Sequence, residues 1–362
     1  MTRQRPLLLL TIATVGAIAL AFGPVAARQG SPAQNRPPGT NYKGPAWTIN
    51  KVSDGVYHAV GTGSLVVMSN ATIIEGDRDV LVVDTQVSPG GAWALREELK
   101  AITPKPIRWV VNSHYHFDHS HGNQIYGPEV QIIGHEFARQ QMVAGKSQDS
   151  PAREFYVGGV PAAIKGLEAR LAAATDDKTR ATIQNQLDIQ RNHLEGTNGV
   201  IPTPPTMTLT ETMTLHLGAR EVRILFLGRA HTAGDVVVYL PKERMVATGD
   251  LLVNGTSYMG DAFVPEWIDT IEALKKLDLG TVLPGHGAAF TDLAKLDHWQ
   301  AYMRDFWAQA KTFHKAGTTW EEAAKQVDLR GNAVNYPLIR TPGITPNHAM
   351  RRAYELLDGK VK

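Results

Sequence analysis

Apolar positions recur along this chain in two registers. Short alternating or continuous apolar runs bounded by glycine predict strands at Val52–Val60, Leu65–Met68, Ala71–Glu75 and Val80–Asp84, with Gly55, Gly61, Gly63 and Gly76-Asp77 supplying turns. Trp93, Leu95 and Leu99 then fall at helical spacing within Gly91–Ile102, and Pro104 and Pro106 precede a strand at Ile107–Val111. After Ile132-Ile133 the pattern turns helical to about Gly145. Between Pro161 and Gly196 two apolar sets, Ile164, Leu167, Leu171 and Ile183, Leu187, Leu194, flank Asp176-Asp177 and predict an inserted helical hairpin, either a stabilising surface element or a substrate lid. Pro202, Pro204 and Pro205 end it. Strand patterns return at Met213–Leu217, Val222–Leu227, Val236–Leu240, Met245–Thr248 and Thr281–Leu283, with a helix at Glu266–Leu277. The C-terminal part, about 292–360, reads as helices at Leu293–His314 and Trp320–Val327 and a last helix with Thr345 as N-cap, Pro346 in the first turn and Gly359 past the end. Strands alternating with helices make this an α/β chain.

The N-terminus follows a different logic. Arg3 and Arg5 precede the uncharged apolar run Leu7–Phe22, and Val25-Ala26-Ala27 offers small residues for signal peptidase, so residues 1–27 read as a signal peptide cleaved after Ala27, or otherwise as an uncleaved membrane anchor. Gln4 separates the arginines, which favours the Sec route over a twin-arginine one and predicts a periplasmic or secreted protein. Residues 28–45, rich in Pro, Gly, Gln and Asn, read as a disordered linker, leaving 46–362 as the folded domain.

Composition narrows the chemistry. Hydrophobic residues at 43% and charged residues at 20% of 362 exclude a disordered or fibrous protein. Lys plus Arg number 37 and Asp plus Glu 35; without Arg3 and Arg5 the balance is zero, which argues against a nucleic-acid partner and for a small-molecule substrate. Membrane contact is expected only through the signal segment or anchor, and nothing in the chain sets the oligomeric state. The absence of cysteine rules out a disulfide framework and a lipoprotein anchor, and confines any metal site to His and carboxylate ligands.

Such ligands cluster. Asn112-Ser113-His114-Tyr115-His116-Phe117-Asp118-His119 follows a predicted strand, and three imidazoles and a carboxylate within six positions suit a loop converging on cations. His114 and His116, two apart, point the same way from an extended turn, while Asp118 and His119 offer an oxygen and a nitrogen to a neighbouring ion. Downstream, His231, Asp250 and His286 each stand at a strand exit beside glycine, and Asp84 ends the apolar run Val80–Val83.

This ordered series resembles the metallo-β-lactamase-fold hydrolases, through the His-x-His-x-Asp-His signature and the flanking Asp, His, Asp and His, over roughly Trp47–Phe290. The resemblance implies a four-layer αββα sandwich with two metals, normally zinc, with iron or manganese as other occupants. It implies His114, His116 and His231 on the first metal, Asp118, His119 and His286 on the second, and Asp250 bridging both. Asp84 would accept a hydrogen bond from a ligand imidazole and fix its tautomer. Thr232 and Asp235 would serve similarly or hold the turn locally. Tyr115, Asn254 and Tyr258 flank the ligands as pocket candidates, and Arg229 would meet an anionic substrate or form a surface ion pair.

The expected activity is an exported dinuclear zinc-dependent hydrolase that opens an ester, thioester, lactone or lactam bond with a metal-bridging hydroxide, Asp118 or Asp250 handling the proton. A serine nucleophile elbow, a Walker loop and a His-Glu-x-x-His motif are absent from the sequence. Rival expectations are a true class B-like β-lactamase, a mononuclear-iron persulfide-type oxidase and a non-catalytic metal-binding protein. Asp250 stands where many β-lactamases of the family carry Cys or Ser, and Leu251–Val253 brings no positive charge, which favours the broader hydrolase branch. Retention of His119 and His286 argues against the iron oxidase.

Overall fold

A computed structural model describes residues 36–340 and 347–361. The expected signal peptide, the first part of the expected linker, and Thr345 and Pro346 of the last helix's expected start lie outside those residues. The remaining linker residues are held in place. The Asn41 backbone N–H donates to Asn192 Oδ1 at 2.7 Å, Asn192 Nδ2 donates to the Gly39 carbonyl at 3.0 Å, and Tyr42 packs on an apolar cluster. Polar composition there serves hydrogen bonds to a helix, which the expectation of disorder for 36–45 missed.

The chain begins with strands β1 (Trp47–Ser53), β2 (Val56–Gly61), β3 (Ala71–Glu75) and β4 (Val80–Val83), then α1 (Pro89–Leu99) and β5 (Ile107–Val111). Gly55, at φ 63°, takes the left-handed turn that splits the expected strand Val52–Val60 into a hairpin. Leu65–Met68 is an irregular loop rather than a strand: Leu65 is buried in the core, and Met68 faces a cavity described below. Next come α2 (Phe117–Ser120), β6 (Gln131–His135), α3 (Glu136–Val143), α4 (Pro151–Val157), α5 (Val160–Ala173), α6 (Asp177–Asn198) and β7 (Met207–Leu209). The helical insertion thus starts earlier than Pro161, where Ser150 caps α4 and Pro151 enters its first turn; Asp176 caps α6 by accepting from the Thr179 N–H at 2.8 Å.

The second half carries β8 (Thr212–Leu217), β9 (Arg220–Phe226), β10 (Val236–Leu240), β11 (Met245–Gly249), α7 (Val264–Leu274), β12 (Thr281–Pro284), α8 (Ala294–Lys315), α9 (Trp320–Gln326) and α10 (Asn347–Leu357). Strands β1 to β7 form one sheet in sequence order, antiparallel through β4 and parallel from β4 to β7. The other sheet has the order β12-β11-β10-β9-β8, with only β11 and β12 parallel.

Period-two alternation decides the layers. Leu81 and Val83 point between the sheets, against Val222, Ile224, Val236 and Val238, while Val80 and Val82 point outward onto Ala94, Leu95 and Leu99 of α1. On the far side Val237, Tyr239, Val246 and Val282 meet Trp267 and Ile271 of α7 and Trp299, Met303 and Phe306 of α8. Helix, sheet, sheet, helix: this is the four-layer αββα sandwich. Among the described residues no helix is long and apolar enough to cross a membrane.

Candidate metal centre

Strand exits bring the ligand-type residues together. Asp84 follows β4, the His-rich loop follows β5, and Asp250 and His286 leave the parallel pair β11 and β12. Asp84 takes a left-handed turn at φ 67° and accepts from the Ser113 N–H at 2.8 Å and Ser113 Oγ at 2.9 Å, tying the loop to the sheet. Asn112 and Asn123 exchange side-chain hydrogen bonds at 3.0 and 2.8 Å, and Asn112 Nδ2 also donates to the His119 carbonyl. The loop is therefore braced before any ion is considered. Gly285 makes room in the opposite wall, because a Cβ there would collide with Asp250 Oδ1.

All seven expected ligand residues converge. The ligand atoms of His114, His116 and His231 lie within 4.8 Å of one another, as do those of Asp118, His119 and His286, and those of His114, His119 and Asp250. Asp250 sits between the sets: its Oδ1 is 3.3 Å from His119 Nε2 and 3.2 Å from His286 Nε2, and its Oδ2 is 3.6 Å from His231 Nε2. Asp118 Oδ2 is 3.4 Å from His119 Nε2 and 3.3 Å from His286 Nε2.

The outer nitrogens of His114, His116, His119 and His231 are engaged, and several of the inner atoms are not. His119 Nδ1 donates to Asp84 Oδ2 at 2.8 Å, His116 Nε2 to Asp261 Oδ2 at 3.0 Å, and Ser113 Oγ and Ser257 Oγ lie 3.0 and 3.3 Å from the Nδ1 atoms of His114 and His231. Facing inward, His114 Nε2, His119 Nε2 and Asp250 Oδ1 are buried without a hydrogen-bond partner, and His116 Nδ1 meets His231 Nε2 at 3.0 Å. Buried polar atoms seldom stay unsatisfied. Five imidazoles and two carboxylates turned on one centre, with the outer nitrogens of four of the five imidazoles in hydrogen-bond contact, are a donor set that fits two divalent cations such as zinc.

Electrostatics divides the set. Burial, reinforced by neighbouring imidazoles, holds His114 well below the usual histidine range, and burial takes His231 down to about 3. Both are neutral and ready to ligate. Burial opposes charge on His119 and His286 too, but Asp118 and Asp250 outweigh it, raising His119 and pushing His286 up to about 10. The same contacts keep Asp118 and Asp250 well below the ordinary carboxylate range despite burial.

A cavity of about 430 Å³ opens onto this centre, with His116, Asp118, His231, Asp250 and His286 in its wall. Met68, Phe117, Ala152, Tyr156, Val253, Thr256, Ser257 and Tyr258 complete it. Tyr258 is in the cavity wall, and Asn254 lines an adjoining groove, where it accepts from Lys295 Nζ at 2.6 Å. The expectation for Tyr115 needs correction, while Arg229 and Thr232 take the structural alternatives given for them, an ion pair and a local turn. Tyr115 points away from the cavity, packing edge-on to His116 and among Phe137, Ala138 and Met142. Arg229 is taken by Glu266 in a two-pronged ion pair, both contacts at 2.6 Å, and lies over the Phe263 ring. Thr232 bonds no ligand imidazole; its N–H and hydroxyl donate to Asp235 at 2.7 and 2.8 Å and hold the turn after His231. Asp261 and Ser257, which the sequence did not single out, belong to the site. Neither has a local sequence signal, since each is a short polar residue in a loop whose path only the fold defines.

Comparison with known proteins agrees with this geometry. The chain is 25% identical over 268 residues to the 2,4-dinitroanisole O-demethylase subunit alpha of Nocardioides sp. (strain JS1661), covering 73% of this chain and 61% of that one. It is 24% identical over 304 residues to a linear primary-alkylsulfatase of Pseudomonas sp. (strain ATCC 19151), covering 78% and 54%. The chain therefore spans less than two thirds of either curated relative. Among solved structures, a stereoselective inverting sec-alkylsulfatase from Pseudomonas sp. superposes with a TM-score of 0.59 at 18% identity, over 86% of this chain and 50% of that one. The sequence pattern of the metallo-beta-lactamase superfamily matches residues 65–286, from the Leu65 loop to His286, and the chain belongs to that superfamily.

Proposed function

We propose that the protein is an exported, metal-dependent hydrolase of a small molecule, cleaving an ester, thioester, lactone or lactam bond. The observation that carries the reading is the convergence of seven ligand-type side chains at the wall of an open cavity, with His114 Nε2, His119 Nε2 and Asp250 Oδ1 buried there without a hydrogen-bond partner. His114, His116 and His231 would hold one cation, Asp118, His119 and His286 a second, with Asp250 shared. Cations held there supply Lewis acidity and lower the pKa of water toward about 7. Asp84 and Asp261 fix the tautomers of His119 and His116, so that each ring presents a lone pair to the centre. Asp118 and Asp250 are the two carboxylates in the cavity wall, and one of them accepts the proton of the attacking water and delivers it to the leaving group. Met68, Phe117, Val253 and Tyr258 form an apolar wall that displaces water around the scissile bond.

Among the described residues the cavity wall holds no Lys or Arg, and Arg229 is committed to Glu266, so an anchor for the carboxylate of a β-lactam is missing beside the centre. That weighs for the broader hydrolase over the β-lactamase. The signal-like segment from Arg3 to Ala27 supports export. The first test is metal content per chain of protein purified without chelator, followed by turnover of a lactone, thioester, ester and β-lactam panel. Two zinc ions and chelator-sensitive turnover are expected. One iron, or two metals with no turnover of any substrate, overturns the proposal.

A further inference from the structure

We infer that the chain carries a second ligand site, remote from the metal centre, for a small monocarboxylate with a compact apolar body. A cavity of about 300 Å³ lies between the end of α1, the segment 103–106 and the loop 125–130. Val80 and Ile107 in its wall begin β4 and β5, and Val130 precedes β6. These strands run parallel, and β4 and β5 deliver Asp84 and the His-rich loop at their other ends. The cavity and the metal centre therefore lie at opposite ends of the sheet, and the hydrolase reading makes no use of the cavity.

Its wall is mixed. Val80, Leu99, Ile107 and Val130 are apolar, while Arg96, Lys100, Thr103, Lys105, Tyr126 and Glu129 bring polar groups. Four of those six are matched. Lys100 Nζ reaches Glu97 Oε2 at 2.6 Å, Lys105 Nζ donates to the Gly76 carbonyl at 2.8 Å, and Thr103 Oγ1 accepts from the Lys105 N–H at 3.3 Å. The carboxylate of Glu129, an exposed residue, lies against Gly127. Tyr126 and Arg96 are different. Tyr126 is 9% exposed, yet its hydroxyl has no hydrogen-bond partner, a rare state for a buried polar group. Burial keeps that hydroxyl protonated, and Arg96 is near enough for its positive charge to oppose the effect. The Arg96 guanidinium meets the Ile125 carbonyl and Glu97 Oε1 only at 3.4 Å, long against the ~2.7–2.9 Å of a charge-assisted bond. Two underused donors, one of them a planar fork, match a singly charged planar acceptor, which is a carboxylate. The apolar side chains beside them match its body, and about 300 Å³ is at the small end of ligand cavities, suited to a single ring.

The test is calorimetric titration of phenylacetate into the metal-loaded protein. Acetate, which lacks the body, and phenylacetamide, which lacks the charge, should each bind at least about tenfold more weakly. Tyr126→Phe and Arg96→Gln should each lower phenylacetate affinity about 10–100-fold and leave metal content per chain unchanged. Phenylacetate bound at the metal centre would be blind to both substitutions. Tyr126→Phe removes a hydroxyl without a partner, so its melting temperature should not fall, which separates lost binding from lost fold. Amide hydrogen exchange should slow on binding at 96–107 and 125–130. No binding of phenylacetate, equal affinity for acetate or phenylacetamide, an affinity that either variant leaves unchanged, or protection of the metal loop in place of these segments overturns the inference. None of these readouts depends on turnover, so the hydrolase reading stands or falls separately.

Discussion

Asp261 Oδ2 lies 3.0 Å from His116 Nε2, and that bond turns His116 Nδ1 toward His231 Nε2, 3.0 Å away. Asp261 is itself anchored through its backbone, since Arg352, from α10, donates to the carbonyls of Asp261 and Ala262 at 3.1 and 2.9 Å. The C-terminal helix thereby reaches the metal centre through two intermediaries. Asp261→Ala should weaken the cation at the His114, His116, His231 set by about 10–100-fold, as loss of a carboxylate behind a ligand imidazole generally does. Asp261→Asn, which keeps an acceptor for the His116 N–H, should recover part of that loss. Competition with a chromophoric chelator reads both; equal loss in the two variants would show that charge, rather than ring orientation, is what Asp261 supplies.

Gly285 offers a test by crowding. A methyl group there would strike Asp250 Oδ1, the oxygen that approaches both His119 and His286, and backbone atoms of Gly249 lie behind it. Gly285→Ala should displace the shared carboxylate and lower the number of metals bound per chain from two to one or none. Because the clash is local, the melting temperature of the metal-free protein should fall by only a few degrees. A variant that binds two metals with native affinity would show that Asp250 is not shared.

His193 of α6 gives a pH dependence away from the ligands. Burial, and then the positive charge of Arg153, push it down to about 4 from the ordinary histidine value of 6.5. A histidine with a lowered folded-state pKa resists protonation in the native state, so its stabilisation is present above 6.5 and drains away as pH falls toward 4. The melting temperature of the chelated protein should therefore drop through that window, and His193→Gln should flatten the drop. An unchanged slope in the variant would place the acid sensitivity elsewhere.

The order of ligand residues was legible because each stands at a strand exit, where chain direction, glycine and a polar residue coincide: Asp84 after Val80–Val83, Asp250 after Met245–Gly249, His286 after Thr281–Pro284. What pairs with them was not. Glu266 reaches Arg229 from 37 residues away and Asp261 reaches His116 from 145, separations that carry no local pattern. Tyr115 turns away from the cavity for a reason the spacing contains: if His114 and His116 share a face of an extended turn, the residue between them takes the opposite one. The sandwich itself was implied by the family resemblance that the ligand series carries, whereas β7, three residues at a sheet edge, is too short for periodicity to register.

The helical insertion couples to the metal loop through one side chain. Leu187 of α6, 1% exposed, packs in a cluster with Val87, Ile164 of α5, Ala152 of α4 and Phe117, and Phe117 directly precedes Asp118. Burial at this point therefore does two jobs, closing the base of the insertion and backing the turn that aims Asp118 and His119. Leu187→Ala removes a fully packed side chain and should cost about 2–5 kcal/mol, read as a lower denaturation midpoint. If the insertion only stabilises, metal affinity of the folded variant should be unchanged. Because Phe117 is shared, we expect the Asp118, His119, His286 set to lose affinity while the His114, His116, His231 set keeps its own. Sequential metal titration of the variant, below its melting temperature, separates these outcomes, and equal loss at both sets would point to global loosening instead of a contact through Phe117.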